Sequence, residues 1–116
     1  MKTERSNQAA RRIPVHIKNV TFCFQPDQVT HLECAGCLCT VYFANGKKHS
    51  VTKTLKSFEA LLSGHGFLRV HHNAIVNIHH IEKISRNGKY IVELSDGKQI
   101  VVSRRKAKEL REFLGY

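Results

Sequence analysis

KYIVELSDGKQIVVSR, residues 89–104, is the stretch from which the fold can be read. Tyr90, Val92 and Leu94 alternate onto one face before Asp96-Gly97, and Ile100 and Val102 continue that face after it. Side chains alternate sides along a strand, so this pattern describes a hairpin with one face buried. Asp-Gly is a pair that accepts positive φ at both positions of a tight turn, and Asn45-Gly46 and Asn87-Gly88 repeat the signal elsewhere. Each pair lies between runs rich in β-branched and aromatic residues. Such runs recur from Ile13 onward: IPVHI, VTFCF, QVTHLE, CTVYF, HSVT, FLRV, YIVEL and QIVVS. The chain is therefore expected to be mainly β, made of short antiparallel strands. Two segments depart from that pattern. In residues 54–64, Leu55, Phe58, Leu61 and Leu62 fall at helical spacing and Gly64 stops the run. In residues 103–115, Ser103 is placed to cap, Ala107, Leu110, Phe113 and Leu114 form an apolar stripe, and Gly115 ends it. Two short helices are expected.

The 116 residues suit one domain, and the 41% hydrophobic and 24% charged fractions are those of a globular protein. No stretch is apolar for long enough to cross a membrane, and MKTERSNQAARR is no signal peptide, so a soluble cytoplasmic protein is expected. Residues 1–12 read as a flexible basic arm and residues 13–116 as the domain. Nineteen Lys and Arg against nine Asp and Glu give a formal charge of +10, an electrostatic footprint for nucleic acid. Cys23, Cys34, Cys37 and Cys39 lack a secretory context and are expected to be reduced. No nucleophile elbow, phosphate-binding glycine loop or H-E-x-x-H pattern occurs, so neither an enzyme nor a cofactor is expected.

FLRVHHNAIVNIHHIEKI, residues 67–84, sets Arg69, His71, His72, Asn73 and Asn77 between the apolar anchors Phe67, Val70, Ile75, Val76 and Ile78. Hydrogen-bonding side chains are thus held on a rigid frame. Arginine can pair with the O6 and N7 of guanine and asparagine with adenine, whereas Asn77 reads as a bridge between backbone groups. The pattern F-x-R-x-H-x-x-x-x-V-N, followed by isoleucine, resembles the signature of the LytTR family of bacterial transcriptional regulators. A second likeness covers GKYIVELSDGKQIVVSRRKAKELREFL, a hairpin leading to a Ser-Arg motif and a short helix. A looser one runs over residues 28–62, with Glu33 at the acidic position. The resemblance implies an elongated β-sandwich that inserts side chains from loops into successive major grooves of double-stranded promoter DNA. It implicates Arg69, His72, Asn73, Ser103, Arg104 and Arg105 in DNA binding, with a further contact from the loop near Gly36 to Cys39. This chain has His72 where the family often has arginine and Asn73 where serine is commoner. It has Cys37, Leu38 and Cys39 where polar or basic residues prevail, so no base-reading residue is named there.

The resemblance further implies tandem DNA repeats as the target. A homodimer on DNA and a regulatory protein partner are both compatible with it, and no receiver domain of the chain's own is expected. Against it stands a β-rich RNA-binding or protein-interaction module, which would need exposed aromatic rings. Phe22, Phe24, Tyr42, Phe43 and Phe67 instead occupy apolar strand patterns and read as core. His31, Cys34, Cys37 and Cys39 are zinc-ligand types, but four ligands within nine residues of strand and turn converge poorly on one tetrahedral centre. Cys34-Ala-Gly-Cys37 has no helix behind it to favour a thiolate. In His71-His72 and His79-His80, neighbours on a strand point to opposite faces, which suits surface histidines.

Overall fold

A computed structural model describes residues 12–115. Ten strands and two helices follow in order: β1 (Ile13–Ile17), β2 (Val20–Phe24), β3 (Val29–Ala35), β4 (Leu38–Phe43), β5 (Lys48–Thr52), α1 (Leu55–Leu61), β6 (Phe67–His71), β7 (Ala74–Asn77), β8 (Ile81–Asn87), β9 (Lys89–Leu94), β10 (Gln99–Val102) and α2 (Arg104–Leu114). All strand pairings are antiparallel. They build a two-stranded β1-β2 sheet, a five-stranded sheet in the order β5-β4-β3-β7-β6, and a three-stranded sheet in the order β10-β9-β8. The fold is mainly β and elongated, with extents of 46 × 35 × 24 Å. Apart from Arg12, the basic arm expected at the N-terminus lies outside the described residues.

Strand alternation gives the five-stranded sheet two apolar faces, and each has its own core. On one face Leu32, Val41, Val51 and Ile75 meet Ile13 and Val15 of β1 and Leu55 and Phe58 of α1. On the other, Leu68, Val70, Ala74 and Val76 meet Val92, Leu94, Ile100 and Val102 of the three-stranded sheet and Ala107 and Leu110 of α2. Each large apolar side chain wholly removed from water contributes roughly 1.5–3 kcal/mol. The residues read as one face of the terminal hairpin are thus the floor of the second core. Asn77, 1% exposed, donates from Nδ2 to the carbonyls of Pro26 (3.0 Å) and Val29 (2.8 Å) and accepts from the His79 N–H (3.0 Å), the backbone bridge expected of it.

Both helices form where the spacing places them. Thr54 accepts the Ser57 N–H at 3.1 Å, Ser103 accepts the Lys106 N–H at 3.3 Å, and Gly115 closes α2 with φ +86°. The apolar stripe of α2 is shorter than expected: Phe113 and Leu114 are 53% and 40% exposed, because the helix runs past the sheet it packs on. All three Asn-Gly and Asp-Gly pairs do join antiparallel strands, but only the glycines take positive φ. Asn45 and Asp96 keep negative φ and accept the N–H of Lys47 and Lys98 from their side-chain Oδ1, at 2.9 and 3.0 Å. The aromatic rings expected in the core are half-buried against it: Phe24 packs on Phe43 with centroids 5.6 Å apart, and Tyr42 stacks on buried His31 at 4.3 Å.

The cysteines depart from expectation. Cys23 and Cys37 are free and exposed, but Cys34 and Cys39 are joined in a disulfide. Gly36 at φ +62° and Cys37 form a two-residue turn between Ala35 and Leu38. That turn fixes the β3–β4 register so that Cys34 and Cys39 are direct cross-strand partners, with Cα atoms 4.0 Å apart. His31, at odd spacing from Cys34, lies on the opposite face of β3, so the four zinc-type side chains do not converge.

Candidate nucleic-acid interface

β6 ends at His71 in an irregular register, and His72 and Asn73 make the turn into β7. Arg69 braces this turn from below. Its Nη2 donates to the His72 carbonyl at 2.8 Å and its Nε to the His71 carbonyl at 3.4 Å, while Nη1 meets Glu59 of α1 at 3.3 Å. His72 and Asn73 are left exposed above it. The expectation that His71 and His72 point apart fails, because strand alternation lapses at the turn: their rings lie 4.2 Å apart, tilted by 34°. The Asn73 N–H donates to His71 Nδ1 at 3.3 Å, which makes that nitrogen the acceptor.

The second predicted segment arrives at the same place. The Ser103 N–H donates to the Val70 carbonyl at 2.8 Å, fastening the start of α2 to β6. Arg104 and Arg105 follow, both exposed on the first turn of the helix, and Lys106 is half-buried with its Nζ 3.5 Å from Glu109. A cleft of about 470 Å³ is walled by Arg69, His71, His72, Ser103, Arg105 and Lys106, with Glu59 its one acidic neighbour. A larger one of about 830 Å³ lies between His71, Ser103 and Arg104 on one side and Arg86, Lys89 and Tyr90 on the other. A third, of about 270 Å³, joins His71 and Asn73 to Lys98 and Glu33. His71 is common to all three, and the six residues singled out from the sequence lie around it on one basic face.

Electrostatics elsewhere on the sheet are different. His31 is 1% exposed, and its Nε2 has no hydrogen-bond partner, lying 3.6 Å from Glu33 Oε1. Burial pushes its pKa below the ordinary 6.5, against the opposing pull of Glu33 and Asp96. The β3–β4 tip, where a further contact was expected, presents exposed Ala35, Gly36, Cys37 and Leu38. None of these side chains is basic.

The sequence profile of the LytTr DNA-binding domain matches residues 19–115, most of the chain. The chain belongs to the LytTr DNA-binding domain family. It is 38% identical over 68 residues to the sensory transduction protein LytT of Bacillus subtilis (strain 168). That match takes in 57% of this chain and 28% of LytT, so the chain spans well under half of its relative's length. A solved LytTr DNA-binding domain from Bacillus cereus superposes with a TM-score of 0.73 at 23% identity, over 91% of this chain and 98% of that one, which establishes the fold. The family is one of DNA-binding domains and not of enzymes. Among the described residues no helix is long and apolar enough to cross a membrane.

Within this LytTr domain three residues on the basic face escaped the sequence reading. His71 was legible as part of the motif but was assigned to strand alternation. Arg86 and Lys89 flank Asn87-Gly88, a pair that drew notice only as a turn signal, yet the turn carries both charges to the rim of the cleft of about 830 Å³.

Proposed function

We propose that the chain acts in the cytoplasm as a sequence-specific transcriptional regulator, reading double-stranded promoter DNA with the face around His71. The observation that carries this reading is the Ser103–Val70 backbone bond. It brings the His72–Asn73 turn and the start of α2, some thirty residues apart in sequence, to one cleft. Arg105, exposed and without a partner in any ion pair among the described residues, is the base reader, suited to the bidentate edge of guanine. His72 and Asn73 supply shorter hydrogen bonders to a neighbouring groove. Arg104, Arg86 and Lys89 meet phosphates, and the Ser103 hydroxyl, whose oxygen caps α2, donates its hydrogen to another. Arg69 belongs to this site in a different role, since its guanidinium is committed to the carbonyls of the turn that it supports.

Phe22, Phe24, Phe43 and Phe67 pack half-buried against the first core and Phe58 lies within it, which leaves Phe113 as the exposed phenylalanine among the described residues and no row of rings for stacking single-stranded bases. Duplex DNA should therefore outcompete single-stranded RNA of matched length. Arg105→Ala and Lys106→Ala test the reading most directly, since each removes one positive charge. Against a site selected from random duplexes, Arg105→Ala should cost roughly 1–3 kcal/mol and relax preference at one base position. Lys106→Ala should weaken all sequences alike and lower the salt slope by at most about one. Both variants must melt like the parent. A folded Arg105→Ala protein that keeps the parent's full ratio of specific to scrambled binding would show that Arg105 does not read a base.

A further inference from the structure

We infer that Cys34 and Cys39 are a reversible dithiol–disulfide pair that sets the geometry of the DNA-facing turn, with Cys37 as its point of access. The coupling to DNA and the reducing compartment rest on the function proposed above; the placing of the sulfurs does not. The two sulfurs sit at opposed positions of β3 and β4, with Cα atoms 4.0 Å apart. The main chain of one of them touches the interface directly, because the Cys34 N–H donates to the Asn73 carbonyl at 2.9 Å. A neighbouring pair, Glu33 and Ala74, completes the β3–β7 ladder at that turn. Two unbonded sulfurs need more room than two bonded ones. Reduction therefore moves β3 and β4 apart, or turns a side chain, at the residue that holds Asn73 in place.

Two observations separate this pair from a simple staple. The loop it closes is only a few residues long, and the shortest loops gain least from a crosslink. DNA is also read in a compartment where thiols are kept reduced, and disulfides found there are mostly redox-active. Cys34 and Cys39 are 8% and 0% exposed, so a dissolved oxidant meets neither readily. Cys37, in the turn between them, is free and exposed.

The reaction partner is a low-molecular-weight disulfide, RSSR. The Cys37 thiolate attacks one of its sulfurs, forming a mixed disulfide and releasing RSH. The thiolate of Cys39 displaces the second RSH by attacking the Cys37 sulfur, and that of Cys34 then attacks Cys39 and returns Cys37 to its thiol. Two cysteine thiols lose two electrons and two protons, and RSSR becomes two RSH.

The test equilibrates the whole chain in buffers of oxidised and reduced glutathione. Alkylation followed by mass measurement counts free thiols, and fluorescence anisotropy measures affinity for the selected duplex and for a scrambled one. At the oxidising end Cys34 and Cys39 should be lost to alkylation as an internal disulfide without added glutathione, whatever mixed disulfides the exposed Cys23 and Cys37 carry, and at the reducing end four free thiols are expected. The oxidised form should bind the selected duplex roughly 5-fold or more tightly, the scale of a modest coupling between sites. Cys34→Ser and the double variant Cys34→Ala, Cys39→Ala should bind at the reduced level in every buffer, and two replacements guard against one misfolding. Cys37→Ser should reach both plateaus but oxidise more slowly. Four free thiols throughout, or equal affinity of the two forms, overturns the inference; oxidation of Cys37→Ser at the parent's rate removes Cys37 from it. Failure of the function proposal looks different: the thiol count then changes as expected, while neither form prefers the selected duplex to the scrambled one.

Discussion

At the scale of the residue, His31 shows how a buried titratable group declares itself. Its pKa is lowered chiefly by desolvation; Glu33 and Asp96 oppose that shift and Lys98 reinforces it. A histidine whose folded pKa lies below its unfolded 6.5 is neutral in both states at higher pH and contributes nothing to the pH dependence there. As pH falls through that value the unfolded chain takes up a proton that the folded protein refuses, so stability drops. The loss continues until the folded pKa is reached, at no more than about 1.4 kcal/mol per pH unit. Urea melts near pH 7.5 and about pH 5.5 should show the parent losing more stability than His31→Gln, whose side chain does not titrate. Equal losses would mean that the His31 ring protonates inside the fold. Arg69 teaches a related lesson. The sequence offered it as a contact to DNA, but a guanidinium is also suited to gathering carbonyls, and only the geometry shows it bonded to those of His71 and His72.

At the scale of the element, the start of α2 carries two duties on one side chain. Ser103 accepts the Lys106 N–H as cap and lines two basic clefts. Ser103→Ala should cost about 1 kcal/mol of stability through the lost cap. Ser103→Asp keeps a capping oxygen and suits the positive helix terminus, so it should melt near the parent, yet its charge should repel phosphate and weaken DNA binding. Chemical denaturation alongside anisotropy separates the two duties; if Ser103→Asp binds as tightly as the parent, the hydroxyl does not face phosphate. Both helices were legible from the spacing of their apolar residues, and the ends of α2 from Ser103 and Gly115; the Thr54 cap of α1 came only with the structure. Eight of the strands were legible from alternation and Asn/Asp-Gly pairs, but β7, buried along its whole length, and β8, largely polar and exposed, were not among the runs read. Turn type was not, since it depends on whether Asn or Asp bends its own backbone or accepts a hydrogen bond, as Asn45 and Asp96 do. The cysteine pairing was hidden for the same reason: it follows from the Gly36-Cys37 turn, and a change of one residue in that turn would put Cys34 and Cys39 out of register.

At the scale of the whole molecule, a chain of this size reading DNA with the face proposed above would touch few bases, and tight occupancy would call for two sites on the same side of the duplex, about one helical turn of 10–10.5 base pairs apart. Inserting about half a turn between tandem sites should abolish the cooperative complex and spare binding to each site alone, as gel-shift titration would show. Unchanged affinity would mean independent monomers. That the two site segments share one face was legible only through family resemblance, because no local rule foretells the Ser103–Val70 bond. The same bond bears on how the protein comes into being. Pairing of β3 with β7 must wait for a loop of some forty residues to close, and pairings so distant in sequence form slowly. The reading face then waits again, for Ser103 to reach Val70. On the ribosome, where the N-terminus emerges first, the hairpins can form while the face is still missing. A polypeptide released early, before α2, would hold many of the strands but not the face proposed to bind DNA, so unfinished products would compete poorly with finished ones for DNA.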